Sequence, residues 1–286
     1  ITFMRQKHHL ADFVYFFWSY NPPRNSYSWI NIWSEKMKKE KDYLVHESSY
    51  KDDVLGFVTD QMLADINRVK KNDYDYYRYL YLGEPVGLGT EVYNMEHFQV
   101  INEIPSDDSL ILADISIDTG YSISATAMGA YGLTKRGNVI LLDTYYYDPS
   151  RQANKKAPSD FAKDIVDFTK SVRERFNVNI DMMTIDSADS ATRNQIYKDY
   201  GIRLHPVKKK KKVDMIDNVI DLLVRKRFFV LNNSNNDIFL DEHKRYVWDE
   251  KTIKSDDPKV VKESDHHPDQ FQYYVNDNLR KLGLKH

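Results

Sequence analysis

The spacing of apolar residues changes period several times along this chain, and each change marks an element. Residues 109–119, SLILADISIDT, form a nearly continuous apolar run, as a strand buried in a sheet does. The run nevertheless carries Asp114 and Asp118 before the chain turns at Gly120. Side chains alternate along a strand, so Asp114, Ser116 and Asp118 share one face. Residues 123–131 and 138–147 are two further β-rich runs joined by short turns, which predicts an antiparallel meander. The period then becomes helical: Phe161, Ile165, Phe168, Val172 and Phe176 form a stripe along a helix with Ser159 as its N-cap. A strand over 180–186 follows, then a helix over 190–200 closed by Gly201 and a strand over 202–207. Ile216, Val219, Ile220 and Leu223 predict a helix over 213–226, followed by a β-run at 228–231 and a helix near 237–246. Pro268, at a first helical position, opens a last helix along which Phe271, Val275, Leu279 and Leu282 recur.

Ahead of this region the pattern is coarser. Residues 8–18 read as a strand feeding the turn Ser19-Tyr-Asn-Pro-Pro23, where two prolines end any pairing. Residues 25–39 read as a helix with a Lys-rich end, residues 42–46 as a short strand, and residues 54–70 as a helix with Leu55, Val58, Met62, Ile66 and Val69 on one face. A further helix over 74–82 stops at Gly83-Glu84-Pro85, and residues 83–90 are the best linker candidate. The nearest match to a phosphate loop, Gly132 to Gly137, is followed by Asn138 and Val139 where Lys and Ser or Thr would be needed. It lies between two strands and reads as a hairpin turn, so ATP hydrolysis is not expected from this chain alone. Three hairpin strands, a helix, a strand, a helix and a strand is the order of an RNase H-like mixed α/β sheet. In that fold the first strand of the meander is the middle strand of the sheet. The expected architecture is therefore α/β, with an RNase H-like mixed sheet preceded by a part that alternates strand and helix, as a nucleotide-binding module does.

Composition narrows the chemistry more than it identifies partners. The 41 Lys and Arg against 43 Asp and Glu leave the 286-residue chain nearly neutral, so charge has to be read locally. No apolar run is long enough to cross a bilayer, and the N-terminus lacks the pattern of a signal peptide. The chain contains no Cys, so a metal would be held by Asp, Glu, His or backbone oxygen. Its 21 Tyr suit a nucleic-acid or protein surface and equally an ordinary core.

Three acidic groups fall at comparable places. Asp118 ends the first meander strand, Asp186 ends the strand over 180–186, and Asp265, His266 and Asp269 sit at the start of the last helix. Carboxylates at strand ends are costly to desolvate unless a cation neutralises them, and oxygen-only ligation suits Mg²⁺ or Mn²⁺. Two such ions, about 3.5–4 Å apart, would activate water and stabilise the leaving oxygen of a phosphodiester. His266, one turn before Asp269, would orient water, shuttle a proton or add a ligand. Each residue also has a plainer reading. Asp186 can cap a turn with Ser187 and Asp189, Asp265 can be an N-cap, and Asp269 can complement the helix dipole. His266 and His267 can form a surface pair.

The conjunction resembles a known family. Asp118-Thr-Gly-Tyr121 followed by Ala125-Thr-Ala127 looks like the segment that opens the nuclease domain of large terminase subunits of tailed bacteriophages. Thr184-Ile-Asp-Ser-Ala-Asp-Ser190 is similar to that family's second acidic motif, and Asp265-His-His-Pro-Asp269 with Tyr273-Tyr274 resembles its last one. Tyr246-Val-Trp-Asp-Glu250, Ser19 to Pro23 and Leu82-Gly-Glu-Pro85 fit as well, so the likeness spans nearly the whole chain. The resemblance implies that Asp118, Asp186 and Asp269 bind metal, with His266 as a catalytic neighbour and Asp114 and Asp265 as possible additions. It implies a nuclease over 109–286 that cuts concatemeric double-stranded DNA during genome packaging, a linker over 86–108, and the C-terminal end of the motor ATPase over 1–85, without its phosphate loop. ATP, the portal protein and the small terminase subunit are then partners of the full-length protein. The expected location is the host cytoplasm, transiently on the procapsid, with no membrane association. Two departures stand out. The usual Asp-Pro-Thr-Ala is replaced by Ile123-Ser-Ala-Thr-Ala127, one residue longer, which leaves Asp114 as an alternative ligand; and Gln270-Phe-Gln272 stands where the family has Ala-x-Arg.

Lys208, Lys209, Lys210, Lys211 and Lys212 form the strongest basic run. It would grip backbone phosphates without sequence preference, or it is a solvated loop. The leading expectation is a divalent-metal-dependent endodeoxyribonuclease. A resolvase or transposase-type nuclease on the same fold, and a non-catalytic DNA- or portal-binding module, are the alternatives.

Overall fold

The computed structural model describes residues 16–23, 29–86, 90–120, 124–151 and 156–284. Helices α1 (Trp29–Met37), α2 (Asp60–Asn72) and α3 (Tyr74–Leu82) come first, followed by strand β1 (Gln99–Ile101). The meander is β2 (Leu110–Asp118), β3 (Thr126–Thr134) and β4 (Val139–Tyr147). Then come α4 (Pro158–Phe176), β5 (Ile180–Ile185), α5 (Ser190–Tyr200), β6 (His205–Pro206), α6 (Lys212–Val224) and β7 (Phe228–Leu231). Helices α7 (Asp237–Arg245), α8 (His266–Asp277) and α9 (Leu279–Leu282) close the described chain.

The seven strands form one sheet in the order β1-β7-β4-β3-β2-β5-β6. β3 is antiparallel to both β2 and β4, while β5 runs parallel to β2, β6 to β5, β7 to β4 and β1 to β7. The expected mixed sheet is therefore present. Its middle strand is β3 rather than β2, because β7 and β1 extend the sheet beyond β4.

Alternation along β2 sorts its residues between two cores. Ala113, Ile115 and Ile117 pack with Phe161, Ile165 and Val172 of α4 and Ile196 of α5 on one face. The opposite face meets α8, and that core continues through α6 into the α2–α3 hairpin, where Ile66, Val69, Tyr76 and Tyr77 are buried. Helix α8 is enclosed on all sides, with every residue from His267 to Asn276 buried. Its close approach to the sheet depends on Gly129 of β3, where a Cβ would lie 2.6 Å from Gln270 Oε1. Tyr131 stacks on Tyr274 at 4.1 Å and on Phe271 at 5.4 Å, filling the space beside that contact. Gln270 and Gln272 tolerate this burial because they are hydrogen bonded, Gln270 Oε1 accepting from the Tyr131 hydroxyl and Gln272 Nε2 donating to the Tyr93 hydroxyl.

Several expected boundaries move for identifiable reasons. Residues 42–46 hold turn and irregular backbone instead of a strand, with Leu44 93% exposed, so they have no core to pair against. α2 begins at Asp60 rather than near 54, because the Thr59 side chain accepts from the Met62 amide. α4 begins at Pro158; Ala157, not Ser159, holds the N-cap position, and its amide donates to the Asp160 side chain. The strand expected over 202–207 shrinks to two residues ending at Pro206, whose ring removes a donor. The last helix starts at His266 rather than at Pro268, and α9 is separate from it. β1 has no counterpart among the expected elements, since three residues are too short to display a period. Residues 8–15 of the first expected strand lie outside the described residues, and 16–18 form no strand. Residues 25–28 of the first expected helix and Ile123 of the second meander strand also lie outside them.

The aromatic core encloses His243. Its Nδ1–H donates to the Phe239 carbonyl, its Nε2 has no partner, and its ring lies 4.1 Å from Phe239 and 5.1 Å from Phe98. Burial pushes its pKa down to about 3, against an unfolded value of about 6.5. The stability linked to this group is complete above pH 6.5 and is lost progressively as pH falls toward 3, because only the unfolded chain takes up the proton. Between pH 7.5 and pH 5 the loss from this residue is about 2 kcal/mol. Urea denaturation of His243→Leu at the two pH values should show a difference smaller than that of the parent by this amount; identical pH dependence would rule the account out.

Candidate active site

Parallel pairing of β2 with β5 puts their C-terminal ends side by side. Ile117 is in register with Ile185, and the Asp186 amide donates to the Ile117 carbonyl at 3.2 Å. Asp118 and Asp186 therefore emerge next to each other at one edge of the sheet. Helix α8 lies across the face of β2 that carries Asp114, Ser116 and Asp118, with Ser116 Oγ donating to the Gln270 carbonyl. Its first turns present His266, Asp269 and Tyr273 to the two strand ends.

The contacts here are specific. His266 Nδ1 lies 2.9 Å from Asp118 Oδ2. The Tyr273 hydroxyl lies 3.4 Å from Asp118 Oδ1 and 3.3 Å from Asp186 Oδ2, so the two carboxylates face each other across one phenol. Asp186 also accepts from the Ala188 amide at 2.9 Å, so it does cap a turn while its other oxygen faces the site. Asp269 is reached by Lys212 Nζ at 2.6 Å and by the Tyr246 hydroxyl at 3.4 Å. Lys209 Nζ lies 2.7 Å from Asp186 Oδ2, and Lys262 Nζ lies 3.4 Å from Asp265 Oδ2.

The electrostatics follow from burial and these partners. Desolvation raises Asp118 above the usual carboxylate range, with Asp269 and Asp186 adding to the effect and the His266 hydrogen bond opposing it. For Asp186, desolvation is outweighed by Lys209, the Ala188 amide and Tyr273, and the carboxyl stays below that range. Burial works to lower His266, but its bond to Asp118 wins and the imidazole is raised above its ordinary value. Tyr273 is raised by burial and by the three surrounding carboxylates, which keeps its hydroxyl protonated.

The structure thus gathers Asp118, Asp186, His266 and Asp269, with Asp265 alongside. It does not bring Asp114 into this group. Asp114 sits two pleats back along β2, bonded to Lys281 at 3.0 Å and to the Met182 amide at 3.0 Å, and it serves as a buried ion pair. Asp265 holds the N-cap position of α8 but makes no side-chain cap bond there. The lysine run divides: Lys208 to Lys211 are exposed and Lys212 is half-buried, and of the five Lys209 and Lys212 are ion-paired with the acidic group. Sequence reasoning missed Tyr273, Tyr246 and Lys262 as members. For Tyr273 a signal exists, since it stands four residues after Asp269 and seven after His266, on one helical face.

Whether these residues suit a divalent cation is answered by their donors. Asp118, Asp186 and Asp269 offer hard carboxylate oxygens, and two of the three already converge on Tyr273. Among the described residues no three Asp, Glu or His side chains are arranged as a ready metal-binding group, and Asp186 and Asp269 each hold a lysine. The donor chemistry fits Mg²⁺ or Mn²⁺.

Comparison with known proteins speaks to the family and the fold. Residues 118–277 match the family described as terminase RNase H-like domain, and residues 1–84 match phage terminase large subunit. Over 128 residues the chain is 30% identical to the terminase large subunit of Bacillus phage SPP1, a stretch covering 44% of this chain and 29% of that protein. The large terminase of a thermophilic bacteriophage superposes with a TM-score of 0.78 at 21% identity, covering 97% of this chain and 66% of that one. The complex of that same terminase with ADP superposes equally well, also with a TM-score of 0.78. The chain thus spans 66% of the thermophilic phage protein and the matched stretch 29% of the SPP1 one, and the likeness to the former speaks to the fold. With the RNase H-like match running from Asp118 through the whole of α8, the chain belongs to the phage terminase large-subunit family.

Proposed function

We propose that residues 109–286 form a divalent-metal-dependent endonuclease that cuts concatemeric double-stranded DNA during genome packaging. The observation that carries this reading is the meeting of Asp118, Asp186 and Asp269 at the ends of β2 and β5 and the start of α8, with His266 hydrogen bonded to Asp118. Residues 1–85 are read as the C-terminal part of the packaging ATPase, residues 86–108 as the connection, and ATP, portal protein and small subunit as partners of the longer protein in the host cytoplasm.

Asp118, Asp186 and Asp269 would hold the cation. Bound there, Mg²⁺ or Mn²⁺ would supply a polarised phosphodiester and a more acidic water. The chain's own residues do the rest. Asp118 accepts from His266 Nδ1–H and so fixes the tautomer, leaving Nε2 as the atom that exchanges a proton with water. Tyr273 keeps the Asp118 and Asp186 carboxylates at a set separation. Lys208, Lys210 and Lys211, exposed on the loop before α6, would bind backbone phosphates by charge alone.

In a supercoiled-plasmid assay with Mn²⁺, Mg²⁺ or EDTA, nicked and linear products should form with metal and vanish with EDTA. Asp186→Ala should fall to background, and His266→Ala should cut slower by about 100-fold or more. Absence of cutting with either metal, at low salt and high protein, would leave a DNA- or portal-binding module as the better reading. Confinement of cutting to junctions or specific ends would favour a resolvase or transposase-type nuclease.

Duplex binding gives a separate check on the lysine loop. Replacing Lys208, Lys210 and Lys211 together by Ala should weaken binding for all sequences alike and reduce the slope of log Kd against log salt by about 0.9 per lost phosphate contact. An unchanged slope would mean that DNA lies elsewhere.

A further inference from the structure

Two lysines of the basic run are ion-paired at the acidic centre. Lys209 Nζ bonds Asp186 Oδ2, the same oxygen that faces the Tyr273 hydroxyl. Three residues on, Lys212 Nζ bonds Asp269 Oδ1, the oxygen that faces the Tyr246 hydroxyl, and Gln272 Oε1 at 3.1 Å. Lys212 is the first residue of α6, where a positive charge is disfavoured by the helix dipole, and no side chain caps that end. What holds a cation in so unfavourable a position is the buried carboxylate of α8. The two ammonium groups thus sit on carboxylates from two different elements, and both come from one short segment.

A lone pair occupied by an ammonium is not available to a divalent cation, and like charges within a few ångströms oppose each other. We propose that Lys209 and Lys212 are built-in counter-ions of the carboxylate centre, which a divalent cation must displace from Asp186 and Asp269, so that these two amines lower its affinity. The inference rests on the metal-site reading above. It adds a linkage: each displaced amine rejoins the loop of Lys208, Lys210 and Lys211 and becomes available to a polyanion. Metal binding and phosphate binding then favour each other by the same factor.

The test is titration of the whole chain with Mn²⁺ alone, without DNA, read by calorimetry or by loss of the free Mn²⁺ electron-spin-resonance signal. Methionine keeps the length of lysine without its charge. Lys209→Met and Lys212→Met should each bind Mn²⁺ about fivefold more tightly, and the double variant roughly 20-fold or more. Lys135→Met, exposed on the turn between β3 and β4 at the far end of the meander, should match the parent. In EDTA the double variant should melt at a lower temperature than the parent and gain more on addition of Mn²⁺. If the parent binds Mn²⁺, Asp186→Asn abolishes it, and both single lysine variants bind equally or more weakly, the counter-ion role is overturned while the site reading stands. If the parent binds no more Mn²⁺ than Asp186→Asn does, both fall together. The single variants guard against loss of folding in the double one, because Lys209 lies largely at the surface.

Discussion

Carboxylates grouped at the rim of a hydrophobic sheet have to be neutralised, and much of this molecule is arranged around doing so. Asp118, Asp186, Asp265 and Asp269 come together where water is largely excluded, and the surrounding elements answer with Lys209, Lys212, Lys262 and His266. The energetic penalty for leaving such groups unpaired is several kcal/mol per charge. Each element bordering the site therefore ends in a residue of one sign facing a residue of the other. β2 and β5 end in aspartates; the loop into α6 and the segment before α8 carry lysines.

Helix α8 makes that arrangement rigid. It is buried from His267 to Asn276, so its amides, hydroxyls and imidazoles all need partners inside the protein. Tyr131, Tyr93 and Tyr246 supply partners for Gln270 and Gln272, and Ser116 binds the Gln270 carbonyl. These bonds fix the rotation of the helix about its axis. That rotation sets where His266, Asp269 and Tyr273 point, so packing far from the acidic group controls its geometry. Gly129 belongs to the same constraint, since a Cβ there would lie 2.6 Å from Gln270 Oε1 and 2.8 Å from the Tyr131 ring and would displace the hydrogen-bonded pair those two side chains form.

The elements that sequence disclosed best were those whose period is sustained: the meander, α4, α5 and β7 appear within a few residues of expectation. β1, with three residues, exists because β7 offers a free edge, which no local pattern announces, whereas the strand expected over 202–207 is present as β6 but cut to two residues at Pro206. Residues 42–46 show the reverse case, a β-like composition with no sheet within reach. At the candidate site, Asp118, Asp186, His266 and Asp269 were readable because motif and element ends coincide. The ion pairs of Lys209 and Lys212 were not, because a run of five lysines looks uniform in sequence and is divided only by the start of α6 and the nearness of α8.

Asp114 and Asp118 make the last point about environment. They share a strand and a face, and desolvation raises both. Asp114 lies over the C-terminal end of α8, where Lys281 of α9 reaches across to it and to Asp181, and its remaining acceptor takes the Met182 amide. Its oxygens are thereby taken up by an ammonium and by a backbone amide of β5. Asp118 lies over the N-terminal end of the same helix and meets an imidazole and a phenol, groups that can exchange a proton or turn aside. Four residues along one strand separate a carboxylate held by an ammonium and a backbone amide from one that faces an imidazole and a phenol, and the axis of α8 decides which is which.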